Sequence, residues 1–181
     1  MIAQGSSNRF DDQVGEAIMV HAKKYFANIL LLYVPLIKKY LKNIIDAGME
    51  FNMICPDHGI IWRKNPAKII DAYVKWSQPT ADKKAVVIYD TMWNSTKAMA
   101  EAIAEGIAHQ GVQVRPLHIR SSHRSDIMTE VQDAAAVVVG SPTLNNQIFP
   151  TVADILTYMK GLKPVNKIGG AFGSRFVTFR I

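Results

Sequence analysis

One cysteine, Cys55, in 181 residues leaves no internal disulfide framework to hold the fold. A lone thiol fits a reducing, cytoplasmic setting, and its expected place is that of a small buried hydrophobe. No apolar run reaches the roughly 18 to 20 residues that a membrane-spanning helix needs. The most membrane-like, Tyr25 to Ile37 (YFANILLLYVPLI), is interrupted by Pro35 and reads as core, so no membrane partner is expected. The N-terminal MIAQGSSNRFDDQ lacks the apolar stretch of a signal peptide. Formal charge is +6, yet no block of about five or six like charges occurs. Lys23, Lys24, Lys38, Lys39, Lys42, Lys68, Lys97, Arg115 and Lys160 are scattered along amphipathic segments. Solvated helix faces explain them, a nucleic-acid partner is not indicated, and docking of an acidic redox partner is the one functional reading left. Also missing are GxxxxGK[ST], which would reach several phosphates, and GxGxxG, which would hold a pyrophosphate.

What is present is the composition of a globular protein, 49% hydrophobic and 20% charged, with room for one or two domains. The first part reads as helix, helix, strand, helix. Apolar residues repeat at helical spacing from Asp11 to about Leu31 and again through Leu36, Ile37, Tyr40, Leu41, Ile44 and Ile45, with Gly48 as the stop. Met49 to Cys55 looks like a short strand, and PDHG is a turn. Asn65-Pro66 then opens a helix that buries Ile69, Ile70, Tyr73 and Val74. The polar, proline-bearing SQPTADKK is the expected linker, giving domains at 1–76 and 85–181 around a linker at 77–84.

Beyond the linker, strands and helices alternate. Strands are expected at Ala85 to Tyr89, Val112 to Leu117, Ala134 to Val139 (nearly all apolar, hence buried on both faces) and from Lys167 to Phe172. Helices run from Ser95 to His109, in a short stretch capped by Ser125, and from Pro150 to a stop at Gly161. This alternation implies right-handed crossovers and a doubly wound parallel α/β sheet.

In such sheets ligands bind beyond the carboxyl ends of the strands. The stretch Thr91, Met92, Trp93, Asn94, Ser95, Thr96 joins the first strand to its helix and contains no glycine. A phosphate there can be held by helix-end N–H groups and the helix dipole, with hydroxyls from Thr91, Ser95 and Thr96 and an amide from Asn94. Asparagine tolerates left-handed angles, so glycine is dispensable. One terminal phosphate monoester suits this loop. Two further segments leave strands on the same edge: Ser141, Pro142, Thr143, Leu144, Asn145 and Asn146 after the third, and Ala171, Phe172, Gly173 and Ser174 after the fourth. Their amides and carboxamides can meet a flat heterocycle, with Trp93 packing near it.

YDTMWNSTKAMAEAI, VVVGSPTLNNQIFP and GGAFGS resemble the three FMN-binding loops of the flavodoxin-like domain in flavodiiron proteins (A-type flavoproteins). NRFDDQV, AKKYFANIL and MICPDHGIIWRKNP resemble the end of that family's metallo-β-lactamase-like αβ/βα domain. The resemblance implies FMN as an electron carrier feeding a diiron centre that reduces dioxygen or nitric oxide. It further implies a donor such as rubredoxin or a flavin reductase, and head-to-tail homodimers.

The sequence departs from that pattern at both ends. None of His21, His58, His109, His118 and His123 begins the family's HxExDH motif, and only His58 matches a ligand position. The other four histidines are expected on surfaces or helix faces. After Ser174, RFVTFRI replaces the family's last strand and helix. The chain is therefore expected to be a fragment: a lactamase-like remnant joined to a truncated FMN module, with an incomplete diiron site. The alternatives are a non-functional or docking remnant, and a reductase whose missing ligands come from another chain.

Overall fold

The computed structural model describes residues 8–174, which fall into two compact units divided between Gln78 and Pro79. The division lies within the expected linker, but the polar stretch is shorter than its composition suggested. The strand after it already starts at Asp82, because Lys84 can be buried there as an ion pair.

In the first unit, helix α1 (Asp11–Val14) ends at Gly15, whose φ of 68° only glycine adopts cheaply, so the expected single helix is broken there. Helix α2 (Ala17–Tyr25) passes through a π turn, Phe26–Leu30, and a 3-10 turn, Leu31–Tyr33, into α3 (Val34–Asp46). Pro35 does not interrupt this run. It stands in the first turn of α3, where the ring's fixed φ suits a helix start and the preceding irregular turns absorb its missing N–H. The run Ala17–Asp46 is thus 30 residues with an 18-residue window of mean hydropathy 1.2, long and apolar enough to cross a membrane by length and composition, a test that core helices of soluble proteins also pass. The expectation that Tyr25 to Ile37 is core holds only for Phe26 and Ala27. Ile29, Leu32, Tyr33 and Leu36 are exposed in this unit.

No strand forms at Met49 to Cys55. Only Ile54 pairs, in an isolated antiparallel bridge to Trp62. Cys55 is exposed rather than buried, since the bridge leaves it beside the PDHG turn. Helix α4 (Pro66–Trp76) starts as its sequence predicts, with the Asn65 side chain accepting from the Lys68 N–H at 3.2 Å. Two clusters hold the unit: Ile18, Ile60 and Trp62, and the aromatic group of Phe26, Tyr73 and Trp76. Burial beside Tyr25 pushes the Tyr73 phenol up to about 12. The Asp11 carboxylate accepts from the N–H groups of Arg63, Lys64 and Asn65, fastening α1 to the approach of α4.

The second unit is a parallel sheet in the order β2 (Gln113–His118), β1 (Asp82–Tyr89), β3 (Ala134–Leu144), β5 (Ile168–Ser174). Helices α5 (Ser95–His109), α6 (Arg124–Asp133) and α7 (Pro150–Leu162) supply the crossovers. The central strand buried on both faces is β1, whose last six residues are all buried. Strand β3 mixes buried and half-buried positions. Val137, Val139 and the α7 residues Val152, Leu156 and Met159 border an open apolar cavity of about 430 Å³. The short helix α6 is capped by His123, whose Nδ1 accepts from the Ser125 N–H, so the cap lies two residues before the serine. Helix α7 continues past Gly161 to Leu162, and Lys163 takes the left-handed position.

Candidate functional site

At the carboxyl end of β1 the backbone leaves the sheet through Asp90 and turns into α5 over Thr91 to Asn94. Asn94 is the N-cap of α5 with φ 64°, ψ −4°, the left-handed conformation that asparagine tolerates better than most residues. Its side chain makes no capping bond, so the first-turn N–H groups of a 15-residue helix lack a side-chain cap. Thr96 is fully buried, and its Oγ1 lies 2.9 Å from Ser174 Oγ. Ser95 Oγ donates to the same serine at 3.0 Å. Hydroxyls from both ends of the domain sequence thereby meet at one helix end. Thr91 Oγ1 is buried with no hydrogen-bond partner among the described residues, an arrangement that costs about 1–3 kcal/mol unless a partner is supplied. Beside these polar groups Trp93 is 80% exposed and Met92 38%.

The second segment is not a plain loop. Strand β3 continues through Ser141 to Leu144, turns at Asn145 and Asn146 (φ 51° and 61°), and returns as β4 (Gln147–Ile148). The two asparagines occupy the left-handed positions of a tight hairpin and are exposed. Ser141 Oγ accepts from the Phe149 N–H at 3.0 Å and donates to the Pro142 carbonyl at 2.8 Å, so that hydroxyl is used within the segment. The third segment, Ala171 to Ser174, is the end of β5, in register with Val139 to Pro142. Two glycines permit this approach. A Cβ on Gly140 would lie 2.2 Å from Phe172, and one on Gly173 would lie 2.5 Å from the Ser141 carbonyl oxygen.

Asp90 was not among the candidate residues. Its carboxylate, fully buried, accepts from the Thr91 N–H at 2.7 Å and from Arg120 Nε at 3.1 Å. Thr151 Oγ1 donates to it at 2.5 Å, and His118 Nε2 lies 3.3 Å away. His118 is thus a carboxylate partner rather than a plain surface residue. Burial alone would raise the Asp90 pKa, but the donors Thr151, Thr91 and Arg120 outweigh it and hold it below the ordinary 3.8. The Thr91 N–H is therefore committed inside the protein. Donors left for an anion are the amides from Met92 onward and the hydroxyls.

His58 lies in the first unit, exposed, on the wall of a cavity of about 270 Å³. Its ring centroid is 6.1 Å from that of Tyr25, and His21 borders the same cavity. No carboxylate lines it. No group of three or more His, Cys, Asp or Glu side chains suited to a metal ion occurs among the described residues. The donor set around His58 does not fit a two-metal centre, which needs several nitrogen and oxygen ligands per ion.

The family model for flavodoxin matches residues 87–177. The chain belongs to the flavodoxin family. Similarity extends beyond that match through the first unit, to flavodiiron proteins. The nitric oxide reductase of Moorella thermoacetica is 47% identical over 170 residues, covering 93% of this chain and 43% of the relative. Among solved structures, rubredoxin oxygen:oxidoreductase from Desulfovibrio gigas superposes with a TM-score of 0.90 at 42% identity, over 94% of this chain and 43% of that one. The flavodiiron protein from Giardia intestinalis gives 0.86 at 32% identity, over 97% and 43%. The chain thus spans less than half the length of these relatives. The sheet of this flavodoxin-family domain and the unit before it both have counterparts in the flavodiiron fold.

Proposed function

We propose that the second unit holds FMN, with the phosphate on the first turn of α5, and serves as the electron-transfer module of a flavodiiron-type oxygen or nitric oxide reductase. The carrying observation is the α5 N-terminus. An asparagine in the left-handed conformation directs a first turn without a side-chain cap, and hydroxyls from Thr96, Ser95 and Ser174 converge beside it. A phosphate monoester matches that set of donors, because helix-end amides and hydroxyls stabilise one dianion without a lysine. Bound FMN supplies reversible one- and two-electron chemistry. The protein's part is to anchor the phosphate at residues 92–96 and to present the apolar surfaces of Trp93 and Met92 to a flat ring. The hairpin Ser141 to Asn146 and the strand end Ala171 to Gly173 border the ring side, with Ser174 reaching the phosphate end.

The names of the relatives give the partners this reading expects: a rubredoxin-like donor on one side, and oxygen or nitric oxide reduction on the other. The chain's own side chains support only the flavin half of that pathway. With His58 facing tyrosines and no carboxylate, the iron ligands would be contributed by polypeptide outside the described residues.

The test is reconstitution of the purified chain with excess FMN. The expected result is a yellow protein with a raised melting temperature. Thr96→Val removes one hydroxyl that hydrogen-bonds a charged group, worth about 1.5–3 kcal/mol, so FMN should bind roughly 10- to 150-fold more weakly while riboflavin, which has no phosphate, is unaffected. An unchanged spectrum and melting temperature in excess FMN would refute the proposal.

A further inference from the structure

Asp90 lies outside the phosphate loop and touches four separate pieces of the domain. Its N–H donates to the Gly140 carbonyl at 3.3 Å, where the second ligand-side segment begins. One carboxylate oxygen accepts from the Thr91 N–H and faces His118 at the end of β2. The other accepts from Arg120, just past β2, and from Thr151 in the first turn of α7. Arg120 in turn lies over the ring of Phe149, the N-cap of α7, at 5.3 Å. A fully buried carboxylate is costly unless its lone pairs are filled, and here four donors surround it.

We infer that Asp90 is a positioning residue for the anion loop, orienting it through the Thr91 N–H while Arg120 balances its charge and His118 lies against the same carboxylate oxygen. The inference rests on the FMN reading above. Two consequences follow from the geometry. Because the Thr91 N–H is bonded to Asp90, the first peptide of the loop is held from inside the domain, and the amides available to an anion begin at Met92. Because a carboxylate one residue from a phosphate site repels a dianion, the site depends on Arg120 for more than packing. Arg120 is half-exposed, so replacing it strips the compensating charge at the cost of one Asp90 hydrogen bond and the contact over Phe149.

The distinguishing measurement is the ratio of FMN to riboflavin affinity, which reports the phosphate contribution alone. Asp90→Asn keeps the shape but places an NH₂ group against donors on one side. Loss of the negative charge by itself favours a dianion, so the inference requires the lost orientation of the Thr91 N–H to outweigh it: the expected outcome is a net loss of FMN affinity of about tenfold, with riboflavin affinity within about twofold of wild type. Arg120→Gln should move the ratio in the same direction by a smaller factor, and Arg120→Lys should restore most of it. Should Asp90→Asn fail to fold, Arg120→Gln and Thr151→Val decide the matter on the same ratio. Equal weakening of both flavins, or a wild-type ratio in the folded variants, overturns this inference alone. A wild-type protein that binds neither flavin overturns the FMN reading and this inference with it.

Discussion

Gly140 offers the sharpest test of how the ligand-side segments are built. A methyl group there would sit 2.2, 2.5 and 2.8 Å from three carbons of the Phe172 ring, whereas carbon atoms rest about 3.5–4.0 Å apart. The ring cannot simply swing away, because it packs against the core cluster of Val87, Tyr89, Ala100 and Ala104. Gly140→Ala should therefore either displace Phe172 or part β3 from β5, costing about 1–3 kcal/mol as an overpacking defect. Phe172→Ala alone creates a cavity at a half-buried site and should cost about 2–3 kcal/mol, below the range for a fully buried phenylalanine. Combined, the two substitutions should not add. Once the ring is gone the new methyl meets open space, so the coupling should cancel most of the Gly140→Ala penalty. Hydrogen exchange at β3 and β5 amides is the suitable assay, since it reports the second unit independently of the first. A stable Gly140→Ala protein, or penalties that add within about 0.5 kcal/mol, would refute this account of the close approach.

Lys84 is buried between Glu130 and Asp133 at the opposite end of the sheet. Lys84→Met should destabilise the domain by about 1–3 kcal/mol in urea unfolding, less than for a wholly buried pair because both acids are partly exposed, and adding Glu130→Gln and Asp133→Asn should recover most of it. Asp90 and Asp11 both have carboxyls held below 3.8 in the folded state, so each contributes stability that is present above that value and lost as pH falls through the folded one. Melting temperature should accordingly fall below about pH 4, and Asp90→Asn should flatten that acid slope; an identical slope in the variant would show that Asp90 is not its source. At Asn94, glycine should keep FMN affinity because it adopts the left-handed angle freely, whereas valine should reduce it by roughly tenfold as a β-branched residue forced to positive φ. Equal affinity in both variants would mean that the loop conformation does not matter for the anion.

The parallel sheet and its crossovers were legible because their signals are local. An apolar run such as Ala85 to Tyr89 followed by hydroxyls and a helical repeat is written within about twenty residues. The tolerance of Asn94 for a left-handed angle was equally local, and so was the cap at Asn65. The hairpin at Asn145-Asn146 had a readable signal too, two asparagines between short apolar segments, which the loop reading passed over. Asp90 had none. Its partners His118, Arg120 and Thr151 are 28, 30 and 61 positions away, and only the finished fold brings the end of β2, the turn after it and α7 to one carboxylate. The same limit explains the misplaced core in Tyr25 to Ile37. Periodicity shows which side chains share a helix face but not whether anything covers that face, and here Ile29, Leu32 and Leu36 stay exposed within their unit.

The proposed phosphate loop contains no glycine, although close approach of the backbone to an anion is what glycine makes cheap. Here the two demands on such a loop are met at different places. Asn94 supplies the one left-handed residue, and the first turn of α5 supplies the donors. Glycine is required instead at Gly140 and Gly173, where β3, β5 and the Phe172 ring are packed so closely that a methyl group does not fit. Those positions bring Ser174 within reach of Ser95 and Thr96. The close approach thus serves strand against strand, not backbone against ligand. Asp90 takes the first N–H of the loop, so that the donors left for the proposed phosphate are the row of amides from Met92 onward with hydroxyls beside it. In the proposed reading that row takes a single phosphate group, in keeping with a sequence that holds neither GxxxxGK[ST] nor GxGxxG, the patterns for triphosphates and pyrophosphates.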